Sequence, residues 1–540
     1  MVRKALTVAD FFCGAGGFTE GFRQKGFNVI FSLDNWAPAK KTHDLNHPYC
    51  HCELMDILEL DTAEKIESII PDTDIIVGSP PCVSFSGSNK AGKADKSLGI
   101  ELIKAYLRII ALKLKKGTCK YWILENVPNS GKYIQNSYTW EELGLPGGKK
   151  IAIDIPVKEI LNAAEYGAPQ TRKRFVCGNY PTPIKTHEDK NSWITMRSVQ
   201  TALSNPLESK HPKKIKDPVY NFELDSKNLT DHFYDTTVAD YEWKRSKRLK
   251  EDHGFMGKMS FPEYLDRPSR TVMATMSAST RESIIFDAIK SNKQIGYRLP
   301  TIREIACFMS FPITYQFEGT NENTKYKLIG NAVCCKLSVA LAEAIARKEG
   351  IKPPSYIPQN IRKSSIDLTG IKRKPREPKP RIKNAKFAIP IPYLKIRSFR
   401  VELGNTDSDF NKERYDWKSK VHYGSGKTAK VTVLNLKELE KILRTNKNFI
   451  GFKNDLEKSF KNFKLTAKEL QESYVMNGHS QVMSPDKALE IIRNLIGKYY
   501  PNQENVLIEN KFPEIERTDV PLLTIIGAYA CGYFVSLIKR

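Results

Sequence analysis

Short apolar runs alternate with helical patterns over the first 180 residues. Leu6–Phe12, Val29–Leu33, Asp74–Gly78, Tyr121–Leu124 and Phe175–Gly178 read as buried strands, with amphipathic stretches such as Gly99–Lys115 between them. This alternation predicts an α/β fold, a doubly wound and mainly parallel sheet covered on both faces. Ligands on such sheets bind at the carboxyl ends of the strands. From about 181 to 297 the helical periodicity fades into polar turns, prolines and scattered aromatics. Helical spacing returns through Ile302–Phe308 and Cys335–Arg347, with Thr301 and Glu304 spaced as a capping box. Arg373–Arg381 is too rich in proline for a regular helix or a central strand. Beyond it Leu434–Leu443, Asp455–Phe463, Thr466–Tyr474 and Asp486–Tyr499 carry helical spacing. The expected division is therefore an α/β domain at 1–180, a small irregular domain at 181–297 and helices at 298–349. A basic linker at 350–386 and a mostly helical C-terminal domain at 387–540 follow.

Composition narrows the partners. The formal charge is +24, and residues 362–400 carry 13 Lys and Arg against Asp367 and Glu377. Such a surplus favours a polyanion, and the prolines in this segment forbid the amphipathic helix a membrane surface would want. No stretch approaches the roughly 20 uninterrupted apolar residues a bilayer requires. Met1–Leu6 lacks the apolar core of a secretory signal. A cytoplasmic monomer is the expectation. Ten cysteines in 540 residues are too sparse for a disulfide scaffold. The densest cluster, His43, His47, Cys50, His51 and Cys52, has no Cys-x-x-Cys pair and reads as a turn, with no metal expected.

Five short motifs sit beside these apolar runs. They are Asp10-Phe11-Phe12-Cys13-Gly14-Ala15-Gly16-Gly17, Gly78-Ser79-Pro80-Pro81-Cys82, Glu125-Asn126-Val127, Gln170-Thr171-Arg172-Lys173-Arg174 and Gly330-Asn331-Ala332-Val333. The glycine turn alone also fits dinucleotide sites. All five in this order resemble the C5-cytosine DNA methyltransferase family, over residues 5–348.

The resemblance implies transfer of a methyl group from S-adenosylmethionine to C5 of a flipped-out cytosine in double-stranded DNA. Glycines 14, 16 and 17 would let the cofactor approach the backbone. Asp34 would take the ribose hydroxyls and Asp56, followed by Ile57, the adenine amino group. Phe12 would pack on the adenine. Pro81, Asn331 and Val333 would complete the pocket. Cys82 would be the nucleophile, in a loop stiffened by two prolines. Glu125 would be the acid at cytosine N3, and Asn126 would hold the loop. Arg174 would reach O2 of the base, with Arg172 beside it. Ser84 and Ser86 would contact DNA from a closing loop hinged at Gly87 and Gly92. Arg270, Thr271 and Val272 resemble the recognition region, and Arg298–Glu304 resembles the block that organises it. Val83 stands where the family usually has Gln, and Ala332 where Ser is commoner. A restriction-modification or defence role in a prokaryotic cell is expected, with a cognate restriction or defence protein as a further partner.

Two alternatives compete. An RNA cytosine-5 methyltransferase of the tRNA-modifying branch would show Cys-Phe-Thr after Glu-Asn-Val, whereas Pro128-Asn129-Ser130 follow here. A fused nuclease would use Pro485-Asp486 with Glu509-Asn510-Lys511, which resembles a loose restriction-nuclease pattern able to hold Mg²⁺. Gly424–Thr428 lacks the leading glycine of a phosphate loop.

Overall fold

The computed structural model describes residues 5–82, 85, 95–252, 258–356, 358, 363–373, 376–424, 429–480 and 482–539. The chain divides into two compact units. The first comprises residues 1–238, 262–278 and 282–374, the second 239–261, 279–281 and 375–540.

The first unit is built on a seven-stranded sheet. Its strands are β1 (Thr7–Phe11), β2 (Asn28–Asp34), β3 (His51–Leu54), β4 (Ile75–Gly78), β5 (Tyr121–Asn126), β6 (Val157–Asn162) and β7 (Lys173–Asn179). The order is β3-β2-β1-β4-β5-β7-β6. β1 to β5 are parallel, and β7 runs antiparallel to both β5 and β6. Every expected strand is present; β3 and β6 are additional. The continuous apolar runs have a plain cause. Successive residues point to opposite faces, and both faces are covered. Val8, Val29, Ile75, Val77 and Ile123 enter one core cluster. Ala9, Phe11, Phe31, Ile76 and Leu124 enter the other.

Helices α1 (Gly17–Gln24), α2 (Ala37–Asn46), α3 (Ala63–Ile69) and α4 (Ser97–Lys116) connect the strands. Further along come α5 (Met196–Leu203) and α6 (Asp240–Glu251), then α7 (Ile302–Phe308), α8 (Glu322–Asn331) and α9 (Cys335–Glu349). The Thr301 capping box forms, with Glu304 N–H donating to Thr301 Oγ1 at 3.1 Å and Thr301 N–H to Glu304 at 2.8 Å. Arg303, fully buried, donates to Tyr315 O at 2.7 Å and to Thr230 Oγ1 at 2.8 Å. It thereby ties α7 to the variable region. Among the described residues Glu322–Glu349 has the length and apolarity to cross a bilayer. It is 72% buried in the protein and interrupted between α8 and α9, as core helices are.

The expected boundaries shift in two places. Residues 363–373, expected within the basic linker, are held to the first unit through Ser364, Ile366 and Leu368. Lys325 and Asp231, both without exposed side-chain surface, pair at 2.8 Å. Lys325 also reaches Ser364 Oγ and the carbonyl of Ile366. Leu368 N–H donates to Asp231 at 3.1 Å, and Arg373 pairs with Glu322 at 2.6 Å. The variable region 181–297 is likewise divided, with 239–261 and 279–281 folding in the second unit.

Helices predominate in the C-terminal part: α10 (Leu436–Leu443), α11 (Phe449–Phe460), α12 (Ala467–Val475), α13 (Pro485–Tyr499) and α14 (Leu522–Ser536). They surround a four-stranded antiparallel sheet that periodicity did not reveal: Ala388–Ile396, Phe399–Gly404, Lys418–Tyr423 and Lys430–Thr432. α14 is apolar on all sides and central, as its composition requires. A Cβ at its Gly527 would come within 2.8 Å of Leu394, so the sheet lies directly on the helix there.

Lys325→Met would leave Asp231 buried without its hydrogen-bonded cation, which costs ~3–5 kcal/mol. A urea titration of the full chain should show the midpoint fall accordingly; an unchanged midpoint would contradict the docking of residues 363–368.

Candidate active site

The carboxyl ends of β1, β2, β4 and β5 gather on one edge of the sheet, at the switch between β1 and β4 where the strand order reverses. The glycine turn follows β1. Phe12 adopts φ 54°, Gly14 φ 55° and Gly16 φ 86°. The three glycines answer different constraints. A Cβ at Gly16 would lie 2.6 Å from Tyr315 Oη and 2.9 Å from His47 Nε2. One at Gly17 would lie 2.1 Å from the carbonyl oxygen of Val333. At Gly14 nothing is closer than Phe12 O, at 4.0 Å. Gly16 therefore admits the Tyr315 and His47 side chains and Gly17 the Val333 carbonyl between α8 and α9, and of the three Gly14 alone faces open space. Tyr315 Oη donates to Ala15 O, so His47 Nε2–H donates to Tyr315 at 2.9 Å. Burial pulls His47 well below the usual histidine range, and the ring stays neutral.

Asp34, at the end of β2, accepts Gly14 N–H at 2.8 Å and Trp36 N–H at 2.9 Å, one on each oxygen. It shapes the turn and starts α2. Burial raises its carboxyl above the usual range, against those two N–H groups. The neighbouring Asn35, not singled out in the sequence, is exposed and donates to Asp56 at 3.4 Å. Asp56 caps the short helical turn Ile57–Glu59, accepting Leu58 N–H at 3.0 Å, and Ile57 beside it is buried. Asp34, Asn35 and Asp56 thus form a connected polar group beside the open side of Gly14.

The Pro80-Pro81-Cys82 loop follows β4 and is fastened at both ends. Ser79 N–H donates to Phe11 O at 3.2 Å. Asn126 donates to Pro80 O at 3.0 Å while its own oxygen accepts Val127 N–H at 2.8 Å. Phe85 N–H donates to Cys82 O at 3.0 Å, and Asn129, another residue missed in the sequence, holds Phe85 O at 3.1 Å. Cys82 is half-buried. Val83, Ser84, Ser86, Gly87 and Gly92 lie outside the described residues.

Glu125 and Arg174 come from adjacent antiparallel strands and pair at 2.8 Å, both side chains under 10% exposed. Burial raises the Glu125 carboxyl above the usual range, opposed by Arg174 and then Arg172. Arg172 differs from the sequence reading. Its terminal nitrogens donate to the carbonyls of Val272 at 3.0 Å, Gly330 at 3.0 Å and Ala332 at 3.2 Å. It is a clamp between the recognition region and α8, not a group reaching for a base. Val272 is corrected likewise: its side chain is 1% exposed, and its N–H donates to Gln170 at 3.1 Å. Thr271 donates to Thr171 O at 3.1 Å, and Arg270 pairs with Glu263. Gly330 packs against this segment, since its Cβ would meet Met273 O at 2.2 Å. Val333 is buried, and Asn331, at the end of α8, is exposed.

The C-5 cytosine-specific DNA methylase family matches residues 6–347. The chain belongs to that family. It is a DNA (cytosine-5-)-methyltransferase. Type II methyltransferase M.MthTI of Methanothermobacter thermautotrophicus is 28% identical over 365 residues, covering 64% of this chain and 99% of that relative. M.NgoPII of Neisseria gonorrhoeae is 26% identical, covering 63% and 96%. M.DdeI of Desulfomicrobium norvegicum is 27% identical, covering 63% and 88%. Family and fold together imply S-adenosylmethionine as the methyl donor.

The other candidate residues have local partners among the described residues. Asp486 opens α13 behind the Ser484 cap and lies 3.9 Å from Arg381, whereas Glu509 is exposed and paired with Lys511. Among the described residues, His43, Asp44 and Cys52 bring possible ligand atoms within 4.8 Å. Each already has a partner, in Thr19, Lys40 and Cys13 respectively.

Gly17→Ala forces a methyl group into the Val333 carbonyl, and such overpacking costs ~1–3 kcal/mol. Thermal unfolding should report that loss; Gly14→Ala, strained by its φ of 55° but meeting no neighbour, should lose less stability than Gly17→Ala and more S-adenosylmethionine affinity, read by equilibrium dialysis. The reverse ranking would refute the division of roles among the glycines.

Proposed function

We propose that this methyltransferase attacks C6 of a cytosine swung out of duplex DNA with Cys82, in a restriction-modification system. The observation that carries the reading is the fastened Pro-Pro-Cys loop at the end of β4, joined through Asn126 to β5, the strand that carries Glu125. Extrusion of the base costs a few kcal/mol, which groove contacts from the variable region offset.

Cys82 Sγ forms a bond to C6, and the C5=C6 electron pair moves into the ring toward C4 and N3. Glu125, its carboxyl raised by burial, donates a proton at N3 and keeps that charge from building up. Arg174 holds Glu125 in place and faces O2 of the base. C5, now electron-rich, takes up the methyl group. Bound S-adenosylmethionine supplies that group as a sulfonium methyl. The C5 proton then leaves to water, its electron pair restores C5=C6 as the C6–S bond breaks, Cys82 departs as thiolate, and N3 returns its proton to Glu125. Asn35, Asp34, Asp56, Ile57 and Phe12 hold the adenosine, with the open side of Gly14 against it. Pro81, Asn331 and Val333 border the same pocket.

DNA is favoured over RNA by Pro128-Asn129-Ser130, where Asn129 anchors the Cys82 loop. The names of the relatives support type II modification, with a cognate nuclease as partner.

Cys82→Ser should bind S-adenosylmethionine as the wild type does, show no turnover, and form no covalent adduct with duplexes containing 5-fluorocytosine. Wild-type protein should be trapped on them. Turnover in the variant, or no trapping of the wild type, sinks the mechanism. Glu125 must carry its proton to act, so wild-type kcat should fall as pH rises through its raised pKa. Glu125→Gln should lose about 10²–10⁴-fold in kcat and be flat over that pH window; a parallel pH profile would remove Glu125 as the acid.

A further inference from the structure

The second unit contains a helix that the C-terminal sequence does not supply. α6 lies in the variable region by chain order, yet it folds with residues 376–540. It has little apolar surface of its own. Its buried stripe is Glu242, Ser246 and Lys250, at i, i+4 and i+8. Such a helix does not hold itself in place by burial of carbon. Polar contacts hold it. Arg248 donates to Pro390 O at 2.8 Å, Tyr393 Oη donates to Glu251 at 2.9 Å, Arg376 lies 3.7 Å from Glu242, and Ser246 donates to Thr280 O at 2.8 Å.

Pro390 and Tyr393 sit where the pairing of Ala388–Ile396 with Phe399–Gly404 shifts register, and Tyr393 has φ 56°. Irregularities of this kind re-aim side chains out of a sheet. Here the sheet departs from regularity at the two residues that grip α6. The opposite face of the helix carries Tyr241, Lys244 and Arg245, all exposed. Beside them Trp243 stacks on Phe261 at 6.0 Å, with Lys247 over the same ring at 5.9 Å.

We propose that residues 376–540 are the scaffold of a DNA grip. They hold α6 so that Tyr241, Lys244 and Arg245 meet the phosphate backbone of the substrate duplex. The proposal rests on the reading of the chain as a DNA enzyme. It assigns the C-terminal domain to the methylation reaction, and not to a nuclease or to a separate docking partner. An exposed basic and aromatic helix face suits phosphates and sugars, which position a protein without specifying sequence.

Three full-length variants test it, with binding of a mixed-sequence duplex followed by fluorescence anisotropy across a salt series. Lys244→Glu/Arg245→Glu should raise the DNA Kd at least tenfold and flatten the slope of log Kd against log salt by about 2, near 0.9 per lost phosphate contact. S-adenosylmethionine affinity and kcat at saturating DNA should not change. Lys461→Glu/Lys464→Glu makes the same charge change elsewhere on the second unit and should alter Kd less than twofold. Arg248→Ala/Tyr393→Phe should release α6, seen as new tryptic cleavage within residues 244–250 and a weakened Kd, at an unchanged melting temperature. An unaltered Kd and slope in the first variant overturns the grip. So does an equal effect in the second. An unaltered tryptic pattern in the third overturns the scaffold. Because binding is read without catalysis, a wild type that bound DNA in this way but methylated no duplex would fail the functional reading while leaving this one intact.

Discussion

A carbonyl oxygen occupying the space where Gly17 has no side chain is the contact on which the site depends. Val333 O sits there, 2.1 Å from where a Cβ would be. One helical turn on, Gly21 admits Ser338, whose hydroxyl donates to Phe18 O at 2.9 Å. α9 thus lies directly on α1, and Tyr315 adds a bond to the carbonyl of Ala15. The last block of the catalytic unit closes the back of the first turn. Of the three glycines in the turn, Gly14 alone keeps an open side.

The same economy governs the charged groups. Arg172 and Arg174 stand two positions apart in one motif and do different work. Arg174 pairs with a buried carboxylate whose proton affinity matters to the chemistry. Arg172 donates to three carbonyls and joins two segments of the fold. A buried guanidinium without those acceptors would be costly, so the clamp is well determined.

The second unit changes how the variable region is understood. That region is not one recognition domain between two conserved blocks. Part of it packs with the catalytic unit through Val272 and Gln170, and part with the C-terminal domain through Arg248 and Tyr393. The C-terminal domain is consequently joined to the rest of the chain by several crossings and not by a single tether. The basic segment that looked like a linker is partly folded into the first unit, around the Lys325–Asp231 pair.

The sequence by itself determined five strands of the seven-stranded sheet, the order of the motifs and the Pro-Pro-Cys loop after β4. These are encoded locally: a strand is a run of apolar residues with a period of two, and a proline pair or glycine turn constrains its own backbone. Asn126 as the loop holder was legible for the same reason, being next to the strand end it serves. What each polar group bonds to was not legible. Arg172 finds Gly330 at a separation of 158 residues, and α6 finds Pro390 at a separation of 142. Asp34 was read as a ribose ligand, yet two backbone N–H groups already engage it, and Asn35 beside it carries the exposed amide. Hydrogen bonds depend on tenths of an ångström and on direction, and no local pattern carries that information. Only the packing of distant segments decided which residues face the substrate and which hold the walls.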